Sequence, residues 1–204
     1  MDGQAGQEDQ IRQYGVRNER VLAAMRRVDR AVFVPEEYQH LAYEDRPLPI
    51  GGEQTISQPY TVARMCELLV EGTEARGRKG AKVLEVGTGS GYETAILSRL
   101  FGKVYSMEKI PALAKQAREV VGRMGIGNVE IVTGDGKKGW RKQAPYEAII
   151  VTANAIEVPP ELVAQLGEGG RMVIPVGGEM KRGTKVGGQM RWENFGHFSF
   201  VPLR

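Results

Sequence analysis

The spacing of apolar residues changes period along the chain, and the changes mark out its elements. Between residues 10 and 31 apolar side chains fall at Ile11, Tyr14, Val21, Leu22, Met25 and Val28, the interval of helix that buries one face. Asn18 followed by Glu19 reads as a cap and an early-turn acid, which starts a second helix there. Val32-Phe33-Val34-Pro35 ends this stretch, and Pro35 opens another short turn. Residues 1–9 are polar and acidic and predict a disordered tail. Leu41 to Gly52, interrupted by Pro and Gly, predicts an extended loop. Helical spacing returns after Ser57-Gln58-Pro59 and runs to Val70, with Val62, Met65, Cys66, Leu69 and Val70 on one face. Residues 71–80 predict a polar link.

From Val83 the pattern becomes an alternation of strand and helix. Val83, Leu84 and Val86 suit a strand buried on both faces. Glycines at 87, 89 and 91 follow, and then a helix over 92–100. Residues 103–108 predict a strand, Leu113, Ala117, Val120, Val121 and Met124 a helix, and 129–132 and 146–151 two more strands. A helix over 160–166 and a strand over 170–176 complete the series. Repeated β-α-β units imply a doubly wound, mostly parallel sheet with helices on both faces. Residues 184–202, with Gly187-Gly188 between two possible strands, predict a closing antiparallel element. The expected organisation is an N-terminal helical extension, 1–78, packed on an α/β core, 79–204, as one structural domain.

Composition narrows the chemistry. A chain of 204 residues has room for a full core. Its net charge of +3 comes from interspersed Lys, Arg, Asp and Glu, a solvated mixed surface rather than a nucleic-acid face. One cysteine rules out an intrachain disulfide and fits a reducing cytoplasm. Its place on an apolar helix face points to packing rather than nucleophilic chemistry. Two histidines argue against His-rich metal sites and against a set of His bases. No metal, no nucleic acid and no membrane partner is expected, and the protein is expected to act as a monomer. The N-terminus has neither the basic region nor the apolar core of a signal peptide, and no apolar stretch is long enough to span a bilayer.

A strand, a glycine turn and a helix start make a nucleotide-cofactor site. The spacing here is G-x-G-x-G, with Tyr92 where a dinucleotide pattern places its third glycine. Acids stand at three neighbouring strand ends. Glu85 precedes the turn, where an amine or hydroxyl can donate to it; Glu108 suits two ribose hydroxyls; Asp135 lies within reach of an adenine edge. A ligand with an amino acid, a ribose and an adenine but no phosphates is S-adenosylmethionine. Singly each of these residues has an ordinary structural use, as a turn glycine, a surface acid beside Lys109 or an Asp-Gly turn. In order and at strand ends they favour a cofactor site.

The chain resembles the protein-L-isoaspartate O-methyltransferase family from about residue 11 to 176 and again at Phe200-Val201-Pro202-Leu203. The most specific stretches are 41–50, Leu-Ala-Tyr-Glu-Asp-Arg-Pro-Leu-Pro-Ile, and 54–60, Gln-Thr-Ile-Ser-Gln-Pro-Tyr. Residues 83–92, Tyr105-Ser106-Met107-Glu108, Gly134-Asp135-Gly136 with Gly139-Trp140, and 148–153 are similar too. The resemblance implies a Rossmann-like S-adenosylmethionine-dependent methyltransferase fold, and isoaspartyl peptides and proteins as substrates. It implies Ser57 as the catalytic residue. It implies cofactor contacts at Thr55, Ile56, Glu85, Gly87, Thr88, Gly89, Glu108, Lys109, Asp135 and Gly136. Substrate contacts would come from Ser57, from Val151, Thr152 and Ala153, and from Pro175 and Val176. The chain departs from the family pattern at Asn154 and Ile156, where a small residue and a proline are usual, and over 178–186, where a strand-forming segment is usual.

The implied reaction needs no general base, because a carboxylate of ordinary pKa (~3.5–4) is already ionised at neutral pH. Ser57 would orient that carboxylate; as plain structure it would cap a helix. The alternatives are a methyltransferase acting on RNA or a small metabolite, and a cofactor-binding module without catalysis.

Overall fold

In the computed structural model, which describes residues 2–71 and 80–204, a seven-stranded sheet carries the chain. A two-stranded hairpin of β1 (Leu48–Gly51) and β2 (Gln54–Ile56) stands apart from it. The sheet comprises β3 (Lys82–Val86), β4 (Lys103–Glu108), β5 (Val129–Thr133), β6 (Tyr146–Val151), β7 (Leu166–Val176), β8 (Glu179–Val186) and β9 (Gln189–His197). Their spatial order is β5-β4-β3-β6-β7-β8-β9. The first five run parallel, and β8 and β9 add antiparallel. This is a doubly wound α/β architecture.

The helices are α1 (Asp2–Gln13), α2 (Glu19–Arg26), α3 (Pro59–Val70), α4 (Tyr92–Leu100), α5 (Pro111–Arg123) and α6 (Pro160–Gln165). One apolar layer joins Ile11, Leu22, Leu68 and Ile96 to Val83, Val104 and Ile150 of the sheet. The opposite layer joins Leu84, Val86, Tyr105, Ile149 and Val151 to Leu162 of α6. Side chains alternate across a strand, so in β3 Val83 and Glu85 face α4 while Leu84 and Val86 face α6's layer. Extension and core thus share a buried layer. No helix of the described residues is long and apolar enough to cross a membrane.

Most periodic elements stand where their patterns placed them: α4, β4 and β6 match residue for residue, and Asn18 caps α2 through bonds to the Arg20 and Val21 amides. The helical stretch expected to run to residue 31 instead stops at Arg26, and a separate 3-10 turn spans Arg30–Phe33, opened by Asp29, whose carboxylate accepts from the Ala31 amide. Four more expectations are corrected. Residues 2–9 are the start of α1 rather than a disordered tail. This helix has few apolar anchors and is held by polar ones: Gln7 donates to the Tyr43 carbonyl, and Glu8 pairs with Arg12 and Arg26. The loop over 41–52 ends in β1, because Leu48 and Ile50 alternate inward and are buried. Strand β7 begins at Leu166, where the helix was expected to end. The departing segment 178–186 forms β8, paired with β7 from Val176↔Glu179 to Arg171↔Thr184 and burying Met180. The predicted polar link at 71–80 lies almost wholly outside the described residues.

Candidate functional site

The strand order reverses between β3 and β6, since the chain moves from β3 outward to β5 and then returns to the other side. Ligands of open α/β sheets bind at such a point, beyond the carboxyl ends of the strands. A cleft lies there. Its floor is the glycine turn: Gly87, Gly89 and Gly91 all have positive φ (100°, 53° and 88°). The turn is tied to both neighbouring strands. The Gly87 amide donates to the Met107 carbonyl at 2.8 Å, and the Thr152 hydroxyl donates to the Gly87 carbonyl at 2.7 Å. A Cβ on Gly87 would stand 2.3 Å from Thr152 Oγ1, so no side chain fits.

Glu108, at the end of β4, locks the turn from a third direction. Its Oε2 accepts from the Gly89 amide and its Oε1 from the Ile110 amide, both at 2.9 Å. A carboxylate oxygen has two lone pairs, so each retains one, and the residue lines the cleft. Thr88, Lys109 and Gly136 line it as well. At Gly136 an added Cβ would meet Val86 Cγ1 at 2.3 Å, so this wall too depends on the absence of a side chain. The hairpin covers the turn, with Ile50 in reach of Gly89 and Gly52 in reach of Ile110. This brings Thr55, Ile56 and Ser57 to the cleft, opposite Thr152 and Ala153.

Five of the expected residues are placed elsewhere. Glu85 is fully buried on the α4 side of β3, beneath the cleft. Thr94 and Ser106 donate to its Oε2, Thr88 donates in turn to Ser106, and Oε1 has no partner. Burial raises its carboxyl to about 8, and burial raises the Glu93 carboxyl well above the ordinary range as well. Asp135 faces a neighbouring depression, and its Oδ1 caps the next turn by accepting from the Lys137 amide. Val151 is buried. Pro175 and Val176 lie behind the wall: the Ala155 amide donates to the Pro175 carbonyl, and Val176 bridges to Ala155.

Other residues join the cleft without having been anticipated: Tyr92 and Glu93 from the first turn of α4, and residues 201–204 from the far end of the chain. Asn154 brings that segment in. Its amide donates to the Val201 carbonyl and its carbonyl accepts from the Leu203 amide, both at 2.8 Å. Its Oδ1 accepts from the Gly178 amide at 2.9 Å. Arg204 pairs with Glu53 of the hairpin turn across the opening. The departure from the family pattern at Asn154 was the available signal, although it named no partner.

Ser57 is half-buried and faces the cleft. It is not the cap of α3. The N-cap is Gln58, and the Tyr60 amide in the first turn donates to Asp45 Oδ1 at 2.8 Å. Among the described residues, then, the Ser57 hydroxyl is not spent on starting the helix. A second groove, lined by Tyr60, Phe195, His197 and Phe198, runs into the cleft at Thr55, Ser57 and Thr152. Among the described residues no group of His, Cys, Asp and Glu has a metal-holding arrangement.

The family model for protein-L-isoaspartate(D-aspartate) O-methyltransferase matches residues 7–204. A protein-L-isoaspartate O-methyltransferase of Methanoculleus marisnigri is 49% identical over 200 residues, covering 96% of this chain and 88% of that one. One of Photobacterium profundum is 47% identical over 196 residues, covering 95% and 91%. The crystal structure of a Plasmodium falciparum protein assigned as a protein-L-isoaspartate O-methyltransferase, in complex with S-adenosyl-L-homocysteine, superposes with a TM-score of 0.86. Its identity is 24%, and 98% of each chain is covered.

Proposed function

The chain belongs to the protein-L-isoaspartate(D-aspartate) O-methyltransferase family, and from that premise we propose that Ser57 orients the acceptor carboxylate in a cleft whose opposite half holds the methyl donor. The enzyme transfers a methyl group from S-adenosylmethionine to the free α-carboxylate of L-isoaspartyl residues, the first step of repair. The residues present fit that donor. The glycine turn admits no side chain at Gly87, so a ligand can approach its backbone closely, and Glu108 keeps lone pairs for ribose hydroxyls. Lys109 and Gly136 line the same cleft as Glu108, whereas Asp135 faces the adjoining depression with Oδ1 taken by the Lys137 amide. When bound, the cofactor supplies a methyl group on a cationic sulfonium. Glu85 contributes from below, by holding Ser106 and Thr94 under the turn.

The observation that carries the reading is that Ser57, whose hydroxyl does not cap α3, shares one cleft with the glycine turn. It donates to one carboxylate oxygen and leaves the other as the nucleophile. The acceptor is ionised without a base, so the protein's work is alignment and the exclusion of water. The groove beside Tyr60 and Phe198 takes the peptide, and Thr152 and Ala153 flank the reacting residue. An isoaspartyl link lengthens the main chain by one methylene and frees the α-carboxylate, so a peptide seated there presents a carboxylate that a normal aspartyl residue does not have. A monomer acting without nucleic acid in a reducing cytoplasm is consistent with the mixed surface charge and the single buried Cys66.

Replacing Ser57 with Ala tests this. Turnover of an isoaspartyl peptide should fall about 10- to 100-fold, while S-adenosylhomocysteine affinity, measured by calorimetry, stays within about twofold. Equal losses in both would remove the assignment.

A further inference from the structure

Two charged side chains that the chemistry above does not use brace the segment from Ser57 to Tyr60 from behind. Arg30 is fully buried. Its Nη1 donates to the Ala42 carbonyl at 2.6 Å, and its Nη2 donates to the Arg46 carbonyl at 3.0 Å and the Ser57 carbonyl at 3.1 Å. Its Nε has no partner, and among the described residues no carboxylate is hydrogen-bonded to the guanidinium. A buried charge with no ion-paired carboxylate, answered by three carbonyls and the Tyr92 ring 5.9 Å away with Asp45 acting only at a distance, is costly beside an apolar side chain of equal volume. Stability alone therefore does not account for it. Asp45 works on the next residues: Oδ2 accepts from Gln58 Nε2 at 2.7 Å and Oδ1 from the Tyr60 amide. Residues 57, 58 and 60 are thus each fixed by a charge-assisted hydrogen bond from a distant part of the chain.

We propose that Arg30 and Asp45 are positioning residues, a clamp that sets the Ser57 main chain so that its hydroxyl meets the isoaspartyl carboxylate. This rests on the Ser57 reading above. Neither residue lines the cleft; Arg30 reaches it through the Ser57 carbonyl, and Asp45 through Gln58 and Tyr60, which border the peptide groove beside Ser57. An in-line displacement punishes misplacement: about 1 Å costs on the order of 100-fold. A planar guanidinium reaches three carbonyls at fixed angles, which a lysine ammonium does not reproduce.

The test uses the full chain and five variants: Ser57→Ala, Arg30→Lys, Asp45→Asn, and the two doubles that join Ser57→Ala to each clamp change. Peptide kinetics and S-adenosylhomocysteine calorimetry are the readouts. Each clamp variant should lower kcat about 10-fold or more with S-adenosylhomocysteine Kd within about threefold; peptide KM stays within about threefold in Arg30→Lys and rises further in Asp45→Asn, which also loosens the peptide groove. In the Ser57→Ala background neither should lower kcat further, because the hydroxyl it positions is gone. The same loss in both backgrounds, or cofactor affinity falling together with kcat, would reduce the clamp to general structural support and overturn the proposal. Wild-type kcat in Ser57→Ala would overturn the Ser57 reading and the clamp together. A slow Ser57→Ala beside fast Arg30→Lys and Asp45→Asn would overturn the clamp alone. Should Arg30→Lys not fold, the partly exposed Asp45→Asn carries the same comparison.

Discussion

The two halves of the cleft are built by opposite means. The donor half is a piece of backbone: three glycines at positive φ, tied to adjacent strands through amides, carbonyls and the Glu108 carboxylate. Its parts are close in sequence or paired in register, as Val86↔Met107 and Val86↔Val151 are. The acceptor half is a hairpin and a helix start kept in place by side chains from distant positions, Arg30 from 27 residues away and Asp45 from 13. Backbone geometry tolerates no added atom, whereas a side-chain clamp fails by degrees according to the charge and shape that replace it.

The strongest way to break this contrast is Gly87→Ala. The new Cβ meets Thr152 Oγ1 at a φ that L residues avoid, a strain of about 1–3 kcal/mol before the clash is counted. S-adenosylhomocysteine affinity should fall by about 100-fold or more, and a calorimetric Kd near wild type would show that the cradle yields. Next comes pH, which acts through the layer beneath the donor half. Burial lifts Glu85 to about 8 and Glu93 also well up, so the folded protein keeps protons that the unfolded chain releases above about 4.5. The stability from this is fully present below about pH 4.5 and is lost as pH rises through 8. Unfolding free energies from urea titrations should decline between pH 5 and 8, by a few kcal/mol in all, since each tenfold change in proton affinity between the folded and unfolded chain is worth ~1.4 kcal/mol. Glu85→Gln should flatten the decline. A flat wild-type profile would sink the assignment of a buried proton. The smallest effect is a control for the first. Gly122 is exposed within α5 and an added Cβ meets nothing, so Gly122→Ala should stabilise by about 0.5–1 kcal/mol in thermal unfolding and leave affinity unchanged.

That contrast also explains what the sequence made readable. The glycine turn and α4 were legible because spacing and conformation are local properties there, and the cleft gathers Gly87, Thr88, Gly89, Glu108 and Gly136 as expected. Glu85 and Asp135 were assigned to the cofactor because an acid at a strand end suits it, but residue type does not reveal which way the side chain turns. In β3 the alternation sends Glu85 toward α4, where hydroxyls of Thr94 and Ser106 solvate it. Helix α1 escaped the reading because polar bonds rather than an apolar stripe hold it. Strand β8 escaped because only Met180 and Gly183 are buried along it. Arg30 lies outside the most specific stretches, and Asp45 and residues 201–203 lie within stretches that resemble the family without revealing their roles: each acts through a partner distant in the chain, and no spacing rule records such a partner.

The wall contributed by residues 201–204 follows different energetics from the floor it faces. It rests on two main-chain bonds at Asn154 and on an exposed ion pair between Arg204 and Glu53, which contributes about 1 kcal/mol or less. The floor belongs to strands whose side chains are almost wholly buried. Such a seam opens at a fraction of the free energy of global unfolding. In hydrogen exchange the amides of Asn154 and Leu203 therefore belong to an early-opening class and those of β3 and β4 to a late one.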